Sequence, residues 1–267
     1  AQAQRLLDRC VKEIDSLESL FSLYRPNSEL CRLNRTGRLA DPSGDFISLL
    51  NIAREWHHRT KGAFDISVQP LWELYARHFA ASDADPAGPS PLAIAQARRR
   101  INGEGIHITR KEIRLTTANM ALTLNGIAQG YITDQVTGFL KAQGLQHVLV
   151  ELGEFRAIAE RPDGTPWCIG IANPDRPWQA LRTLSLRDGA IATSGSYGLL
   201  FEPSGRHHHL FDPSTGHSAK YHRSVTVLAP DATTADALST ALTILPRTDG
   251  DKLLRNFDEV EAVFIDA

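Results

Sequence analysis

The sequence has few cysteines and no long apolar run, which removes two common classes of protein. Its three cysteines, Cys10, Cys31 and Cys168, form no Cys-x-x-Cys pair, so we expect neither a disulfide framework nor a zinc site. No stretch approaches the ~20 apolar residues that cross a bilayer, and no signal peptide is visible. The sequence begins inside a helical pattern, and we expect a further N-terminal segment, in which a targeting signal could lie, to precede it.

The sequence also has no large excess of positive or negative charge. The formal net charge is −2 at pH 7, and no long run of one sign occurs. Nucleic-acid binding needs a concentrated basic face, so nucleic acid is not expected as a partner. With 267 residues, of which 42% are hydrophobic and 22% charged, the chain has an ordinary globular composition and is long enough to bury a sizeable core.

Both common nucleotide-binding motifs are missing as well. The sequence contains no Gly-x-Gly-x-x-Gly fingerprint and no P-loop, so phosphate, if it is bound, is held by another arrangement. Segment 124–131 places Gly126 and Gly130 at a predicted strand-to-helix junction. Backbone N–H groups and carbonyls beside a helix N-terminus suit phosphate or a cation.

Hydrophobic periodicity predicts an α+β (mixed α/β) protein, with helices mostly in the first half and strands mostly in the second. Because no strict βαβ repeat occurs, we expect one large domain or two interlocked subdomains. Helices are predicted at 4–23, 28–33, 43–60, 70–79, 93–100, 129–143 and 232–243. Extended segments are predicted at 65–68, 106–108, 113–115, 121–124, 147–152, 167–171, 181–186, 190–192, 198–201, 208–211, 224–228 and 260–265.

Asp236 and Thr240 lie four residues apart in the predicted helix 232–243. Residues at this spacing lie on one face of a helix, so a carboxylate and a hydroxyl are presented together, and Ser239 can join them. Oxygen ligands of this kind suit magnesium, which shares its coordination shell with water and substrate phosphates. The alternative is a solvated pair on a surface helix.

Three consecutive histidines, His207, His208 and His209, precede a predicted tight turn, Asp-Pro-Ser-Thr-Gly at 212–216. Strand alternation places His207 and His209 on one side and His208 on the other. A histidine at the end of such a strand can accept a proton near pH 7. The alternatives are an exposed histidine edge and an adventitious metal site.

Small hydroxyl residues and glycine, Thr-Ser-Gly-Ser-Tyr at 193–197, follow the predicted strand 190–192. Glycine and small side chains let a ligand approach the backbone closely. The run is no nucleophile elbow, because no glycine stands two residues before Ser194. Taken alone, it is typical of a turn.

The order of these motifs resembles the ApbE family of flavin transferases over nearly the whole chain. The resemblance implies a single ApbE-like domain over 1–267, built from two interlocked α/β subdomains with FAD and magnesium in the cleft between them. The first family strand, with its Met-Gly-Thr, is missing from this sequence. The resemblance is carried by eight ordered blocks: 24–30 with Leu33 and Asn34; 64–71; Asn-Gly-Ile-Ala-Gln-Gly-Tyr at 125–131 with Asp134; 166–174; Thr-Ser-Gly at 193–195; His209 with 212–216; 224–227; and Asp-Ala-Leu-Ser-Thr at 236–240.

Carried over by motif position, the resemblance implies roles for individual residues. His209 is the implied general base, because it stands three residues before the Asp of Asp-Pro-x-Thr-Gly. The implied magnesium site consists of Asp236, Ser239, Thr240 and the backbone carbonyl of Gly126. Contacts with FAD are implied for Tyr24, Leu74, Tyr75, Ala76, Arg77, Thr123, Gln129, Thr193, Ser194 and Phe211.

Three positions depart from the family pattern. Thr123 stands where the family usually has Asp, Gln129 where Lys is frequent, and Gly153-Glu154 where Gly-Gly is frequent. The block 125–130 together with Gly153-Glu154 is similar to the NosX-type subgroup, which is accessory to nitrous-oxide reduction.

The function implied by the resemblance is magnesium-dependent transfer of FMN from FAD to a Thr or Ser hydroxyl of an acceptor protein, with release of AMP. The implied acceptor is a membrane-associated electron-transfer flavoprotein, and the implied location is the periplasm. Two alternatives remain open at this point. One is an FAD pyrophosphatase that forms FMN and AMP, and the other is a protein that binds FAD without turnover.

Overall fold

The computed structural model describes residues 2–267, apart from the side chain of Pro177, and within that range the chain forms eight α-helices and ten strands. No helix in this range is both long and apolar enough to span a bilayer. The helices are α1 (Gln2–Phe21), α2 (Glu29–Thr36), α3 (Gly44–Arg59), α4 (Gln69–Phe79), α5 (Pro91–Arg98), α6 (Ala128–Ala142), α7 (Ala232–Ile244) and α8 (Arg247–Leu254). The strands are β1 (Arg38–Ala40), β2 (Ile106–Ile108), β3 (Glu112–Leu115), β4 (Val148–Glu151), β5 (Phe155–Ile158), β6 (Trp167–Asn173), β7 (Arg176–Leu186), β8 (Gly189–Gly195), β9 (His222–Ala229) and β10 (Glu261–Asp266).

Helix starts follow local capping chemistry. Ser28, Ser43 and Ser90 precede α2, α3 and α5, and each side chain accepts a hydrogen bond from the backbone N–H three residues later. Such caps satisfy an N–H group that has no partner within the helix. The helical predictions for these segments are therefore confirmed, and the mixed α/β class is confirmed with them.

The sequence predicts an extended segment at 65–68, and this prediction is wrong. Residues Ile66–Val68 form one turn of 3-10 helix that leads directly into α4. The cause is Asp65, whose Oδ1 accepts hydrogen bonds from the backbone N–H of Ser67 at 2.7 Å and from its hydroxyl at 2.6 Å. Asp65 thus acts as an N-cap, and its own carboxylate is turned towards the protein interior.

The segment 121–124 is not a strand, contrary to the prediction. The side chain of Asn34 replaces a neighbouring strand: it donates to the Leu122 carbonyl at 2.8 Å and accepts from the Leu122 N–H at 2.7 Å. The N–H of Thr123 donates to the carbonyl of Ile66 at 2.7 Å. Because these bonds satisfy the buried backbone groups, the segment stays irregular and leads into α6 through Gly126.

Two further strand predictions are wrong in extent. Segments 198–201 and 208–211 form only isolated antiparallel bridges, Leu200 to His208 and Phe211 to Ser218. Conversely, β1 and β5 are short strands that the hydrophobic periodicity of the sequence does not predict. The run 193–197, interpreted as a turn, begins as the last three residues of β8.

Five antiparallel strands in the order β10-β9-β8-β5-β4 form the main sheet. Helix α7 packs on β8 and β9, and the main hydrophobic core lies between this layer and the N-terminal helices. A smaller sheet, β1-β3-β2, and the hairpin β6-β7 complete the fold. A second apolar cluster joins the hairpin to the main sheet; it contains Ile169, Ile171, Leu184 and Leu186 of the hairpin together with Ala157 of β5 and Ile191 of β8.

Helices α6 and α7 approach each other closely at Gly130. A Cβ at this position would lie 2.3 Å from the carbonyl oxygen of Ala232, so only glycine allows this packing. One turn further along α6, the Asp134 carboxylate accepts hydrogen bonds from the N–H groups of Ala232 and Thr233 at 2.9 and 2.8 Å. These contacts fix the start of α7 against α6, which positions Asp236 beside the α6 N-terminus.

Candidate active site

One cleft of about 570 Å³ collects predicted site residues from both halves of the sequence. Its volume lies in the range of organic-ligand pockets. Tyr24 and His209, which are far apart in sequence, lie on the same cleft. The predicted residues that line it are Tyr24, Thr123, Gly126, Gln129, Thr193, Ser194, His209, Phe211, Asp236 and Thr240.

The predicted contact segment Leu74, Tyr75, Ala76 and Arg77 does not reach the cleft; Trp72 and Val68 line it instead. The reason is the helical period of α4, which turns Tyr75 into the core and Arg77 towards solvent. Tyr75 packs behind the cleft, with its ring centroid 4.9 Å from that of Phe211, and its hydroxyl donates to the Gly216 carbonyl at 3.2 Å. Tyr75 therefore supports Phe211 and the turn at 212–216 from behind.

Asp236 and Thr240 lie on one face of α7, as their spacing predicts. The alternative of a solvated pair is wrong, because Asp236 is only 4% exposed. Asp236 Oδ2 accepts a 3.0 Å hydrogen bond from the N–H of Gly130. Gly126 lies next to Thr240, since a Cβ on Gly126 would be 2.9 Å from Thr240 Oγ1.

Ser194 connects the end of β8 with α7. Its Oγ lies 2.7 Å from Ser239 Oγ and 3.2 Å from Thr240 Oγ1. Ser239 itself is 1% exposed, lies outside the cleft lining, and donates to the carbonyl of Asp236 at 3.0 Å. Ser239 thus fixes the hydroxyl group of Ser194 from the side away from the cleft, whereas Asp236 and Thr240 line the cleft.

Three buried carboxyl groups line the cleft, Asp65, Asp236 and Glu154. Asp65 has a partner, because its Oδ2 lies 3.5 Å from His57 Nδ1. Burial raises the pKa of Asp236 to about 7, with the charge of Asp134 adding to the rise and the Gly130 hydrogen bond opposing it. Burial also raises the pKa of Glu154 to about 9, the charge of Asp236 adds to it, and a backbone hydrogen bond from Thr193 opposes it. Within residues 2–267, neither Asp236 nor Glu154 forms a salt bridge.

This donor set fits a magnesium ion. A buried carboxylate without a cationic partner is costly. The Thr240 hydroxyl lies on the same face of α7 as Asp236, and the backbone of Gly126 lies next to Thr240. Hard oxygen donors of this kind are those that magnesium prefers. Residues 2–267 hold no group of three or more His, Cys, Asp or Glu side chains suited to a metal, so a cation here takes further oxygens from hydroxyls, backbone, water or substrate.

His209 is held in one tautomer at the cleft wall. Its Nδ1 lies 3.2 Å from the carbonyl oxygen of Leu199, and because a carbonyl only accepts, Nδ1 carries the proton. Nε2 is then left as the acceptor. Burial lowers the pKa of His209, with the hydrogen bond to Leu199 opposing the change, so the ring is neutral at neutral pH and able to take a proton.

His207 and His208 are both buried, so the alternative of an exposed histidine edge is wrong. His208 is 2% exposed; its Nε2 donates to the Ala219 carbonyl at 2.8 Å, and its Nδ1 accepts from the Leu210 N–H. Burial lowers the pKa of His208 to about 4. His207 packs against the rings of Tyr75 and Phe79.

Several cleft residues were not among the predicted ones. Trp72, Tyr197 and Phe64 supply ring surface, and Glu154 supplies a carboxyl. Helical spacing from Tyr75 could have pointed to Trp72, which lies three residues earlier in α4. Glu154 was visible in the sequence as a departure from Gly-Gly, but its burial depends on how the β4–β5 turn packs.

Comparisons with known proteins agree with this fold. The model of the ApbE family matches residues 1–264. The FAD:protein FMN transferase of Haemophilus influenzae is 32% identical over 246 residues, covering 87% of this chain and 70% of the relative. The protein of the same name from Treponema pallidum is 31% identical over 289 residues, covering 99% and 78%.

Solved structures of similar proteins share the fold over the full chain. The ApbE protein of Thermotoga maritima superimposes with a TM-score of 0.88 at 27% identity, covering 100% of this chain and 87% of that one. The apo form of the flavinyl transferase ApbE from Pseudomonas stutzeri gives a TM-score of 0.84 at 30% identity, covering 99% and 83%. The resemblance read from the motifs is confirmed, and the chain belongs to the ApbE family.

Proposed function

We propose that this protein is an FAD:protein FMN transferase, an enzyme that moves the FMN half of FAD to a Thr or Ser hydroxyl of an acceptor protein and releases AMP. The relatives named above carry this activity in their names. The observation that carries the proposal is the convergence of Asp236, Thr240 and His209 on one cleft. A cation site and a neutral base on the same cavity are the two parts that phosphoryl transfer to a hydroxyl requires.

FAD is the substrate, and it binds in the cleft that contains Tyr24 and His209. Trp72 and Phe211 offer ring faces for the flavin or adenine, and Tyr75 holds Phe211 in place from behind. Thr123 and Gln129 offer polar groups that face the same cavity. The pyrophosphate belongs beside the N-terminus of α6, where backbone N–H groups and the helix dipole favour negative charge.

Asp236, Thr240 and the backbone carbonyl of Gly126 are the groups that would hold magnesium. When bound, magnesium neutralises negative charge on the pyrophosphate and on the departing AMP. Ser194 and Ser239 keep the Thr240 hydroxyl in position through their mutual contacts. The N–H of Gly130 fixes one oxygen of Asp236, which leaves the other free to face the cleft.

His209 takes the proton of the acceptor hydroxyl. The hydroxyl oxygen bonds to the phosphorus of the FMN half, the P–O bond to the AMP half breaks, and AMP leaves with the bridging oxygen. The proton goes to Nε2 of His209, which is free because Nδ1 is committed to the Leu199 carbonyl. The product is FMN joined to the acceptor by a phosphoester.

The class of acceptor and the site of action are part of the proposal. We infer a membrane-associated electron-transfer flavoprotein as acceptor and a periplasmic location, on the strength of the family resemblance. The block 125–130, which contains Gln129, and Gly153-Glu154 support a place in the NosX-type subgroup, because they are similar to the residues of that subgroup.

A direct test incubates the chain with FAD, magnesium and candidate acceptor domains, and follows the acceptor by intact-protein mass spectrometry. The expected result is a mass increase equal to one FMN phosphoester, which disappears when the target Thr or Ser is replaced by Val or Ala. Turnover of FAD without any adduct on any acceptor would contradict the transferase and favour the hydrolase. Stable, unconverted FAD would favour a binding protein.

A further inference from the structure

Glu154 is a buried carboxyl group at the edge of the candidate metal site. It lies in the short turn between β4 and β5, is 7% exposed, and lines the same cleft as Asp236. No salt bridge to Glu154 exists within residues 2–267. A carboxylate this deeply buried is stable only when a cation or several hydrogen bonds compensate its charge.

The backbone fixes where Glu154 sits. Gly153 adopts a left-handed φ of +100°, and a Cβ on it would lie 2.5 Å from the side-chain nitrogen of Gln129. The turn therefore packs directly against the first turn of α6. The next residue of that helix, Gly130, donates its N–H to Asp236, so the turn that carries Glu154 and the carboxylate of Asp236 contact adjacent residues of α6.

Two adjacent residues of β8, Thr193 and Ser194, likewise link Glu154 to the candidate metal site. The backbone of Thr193 lies beside the carboxyl group of Glu154, close enough to lower its pKa. The next residue, Ser194, contacts Thr240 with its Oγ at 3.2 Å from Oγ1. Glu154 is thus bracketed by two elements, α6 and β8, whose neighbouring residues contact the two cleft-facing side chains of the metal site.

From this placement we infer that Glu154 is a second carboxylate ligand of the divalent-cation site, so that the site binds its cation between Asp236 and Glu154. The inference rests on the proposed function, because it concerns the same metal site. It gives both buried carboxyls a common positive partner, which the described part of the chain does not otherwise supply. Magnesium and manganese are suited to it, since each accepts two carboxylates together with hydroxyl, water and phosphate oxygens.

The test measures cation affinity of the intact chain without FAD, by Mn²⁺ titration followed by electron paramagnetic resonance, with Mg²⁺ as competitor. The variants are Glu154→Gln and Glu154→Ala, each checked for folding by thermal melting. Glu151→Gln is the matched control, because Glu151 ends β4 only three residues earlier and is exposed. Asp236→Asn reports on the metal site of the proposed function.

The expected result is a loss of Mn²⁺ affinity of about tenfold or more in both Glu154 variants, because the site loses one of its two charged ligands. Glu151→Gln should bind Mn²⁺ as the unmodified chain does. If Asp236→Asn weakens binding while both Glu154 variants bind normally, the inference is wrong and the proposed metal site stands. If neither position affects binding, or the unmodified chain binds no Mn²⁺, both the inference and the Asp236 site are wrong.

Discussion

Asp236 on α7 and Gly130 on α6 are joined by a 3.0 Å hydrogen bond from the Gly130 N–H to Asp236 Oδ2. This bond spans 106 positions of the sequence and ties the carboxylate to the helix N-terminus where the pyrophosphate is proposed to bind. The absence of a side chain at Gly130 is what lets the two helices come this close. Helix packing and the candidate metal site therefore depend on the same glycine.

Gly130→Ala tests that dependence. A Cβ would lie 2.3 Å from the Ala232 carbonyl oxygen, and overpacking of this kind costs about 1–3 kcal/mol of unfolding free energy. Gly138→Ala, in the same helix, is the control, since no atom lies within 4 Å of its Cβ and alanine is the better helix former. Urea denaturation should show Gly130→Ala destabilised and Gly138→Ala equal to or more stable than the unmodified chain. Equal effects of both substitutions would contradict the packing argument.

Asp236→Asn should abolish FMN transfer at low magnesium while leaving the fold intact. The amide keeps an oxygen for the Gly130 N–H but loses the charge on which cation binding depends. Asp236→Ala should also abolish transfer, but it leaves the Gly130 N–H without a partner, which costs further stability. The measurement is the transfer rate at several magnesium concentrations, with thermal melting as the check that the variant is folded. A variant that transfers normally at low magnesium would rule out this metal site.

His209→Ala should slow transfer by roughly 10²–10⁴-fold, the usual contribution of a general base. FAD affinity should change much less, because the base acts in the transition state. Since burial lowers the pKa of His209, the unmodified enzyme should keep its rate below the pH at which an ordinary histidine protonates, ~6.5. Paired transfer rates and FAD-binding titrations are the measurement. A rate loss explained entirely by weaker FAD binding would remove His209 from the role of base.

His208 should influence stability and its pH dependence. Its pKa is lowered from 6.5 to about 4, so the unfolded chain binds more protons than the folded chain between these values. The stabilisation is present above the unfolded pKa and is lost as pH falls towards the folded pKa. His208→Gln should therefore show a shallower loss of stability between pH 7 and pH 4.5 in urea denaturation. His107→Gln, at an exposed position of β2, is the control and should follow the unmodified chain.

The sequence predicted elements whose cause is local, and missed those that depend on distant residues. The helix 232–243 and the one-sided placement of Asp236 and Thr240 follow from helical period, which needs no tertiary information. Segment 121–124 reads as a strand, but its partner is the side chain of Asn34, 88 positions away, and no local pattern shows that. Segment 65–68 was misread because the capping role of Asp65 outweighed its strand-like neighbours.

In the candidate site, too, local motifs predict some of the residues, and tertiary packing decides the position of others. Motif order placed His209, Asp236 and Thr240, and the structure brings all three to one cleft. The motif position of Tyr75 pointed to a ligand contact, whereas its actual role is to pack behind Phe211. Glu154 belongs to no recognisable motif, and its burial depends on the packing of Gly153 against Gln129, which is distant in the sequence.

The stoichiometry of the reaction distinguishes FMN transfer from FAD hydrolysis. The chain, FAD, magnesium and an acceptor domain are incubated together, and AMP, free FMN and protein-bound FMN are quantified by chromatography over time. We expect one AMP to be released for each FMN bound covalently to the acceptor, with little free FMN, and both products to be lost in His209→Ala. AMP accompanied by an equal amount of free FMN, with none bound to the acceptor, would show that the protein is a hydrolase and not a transferase.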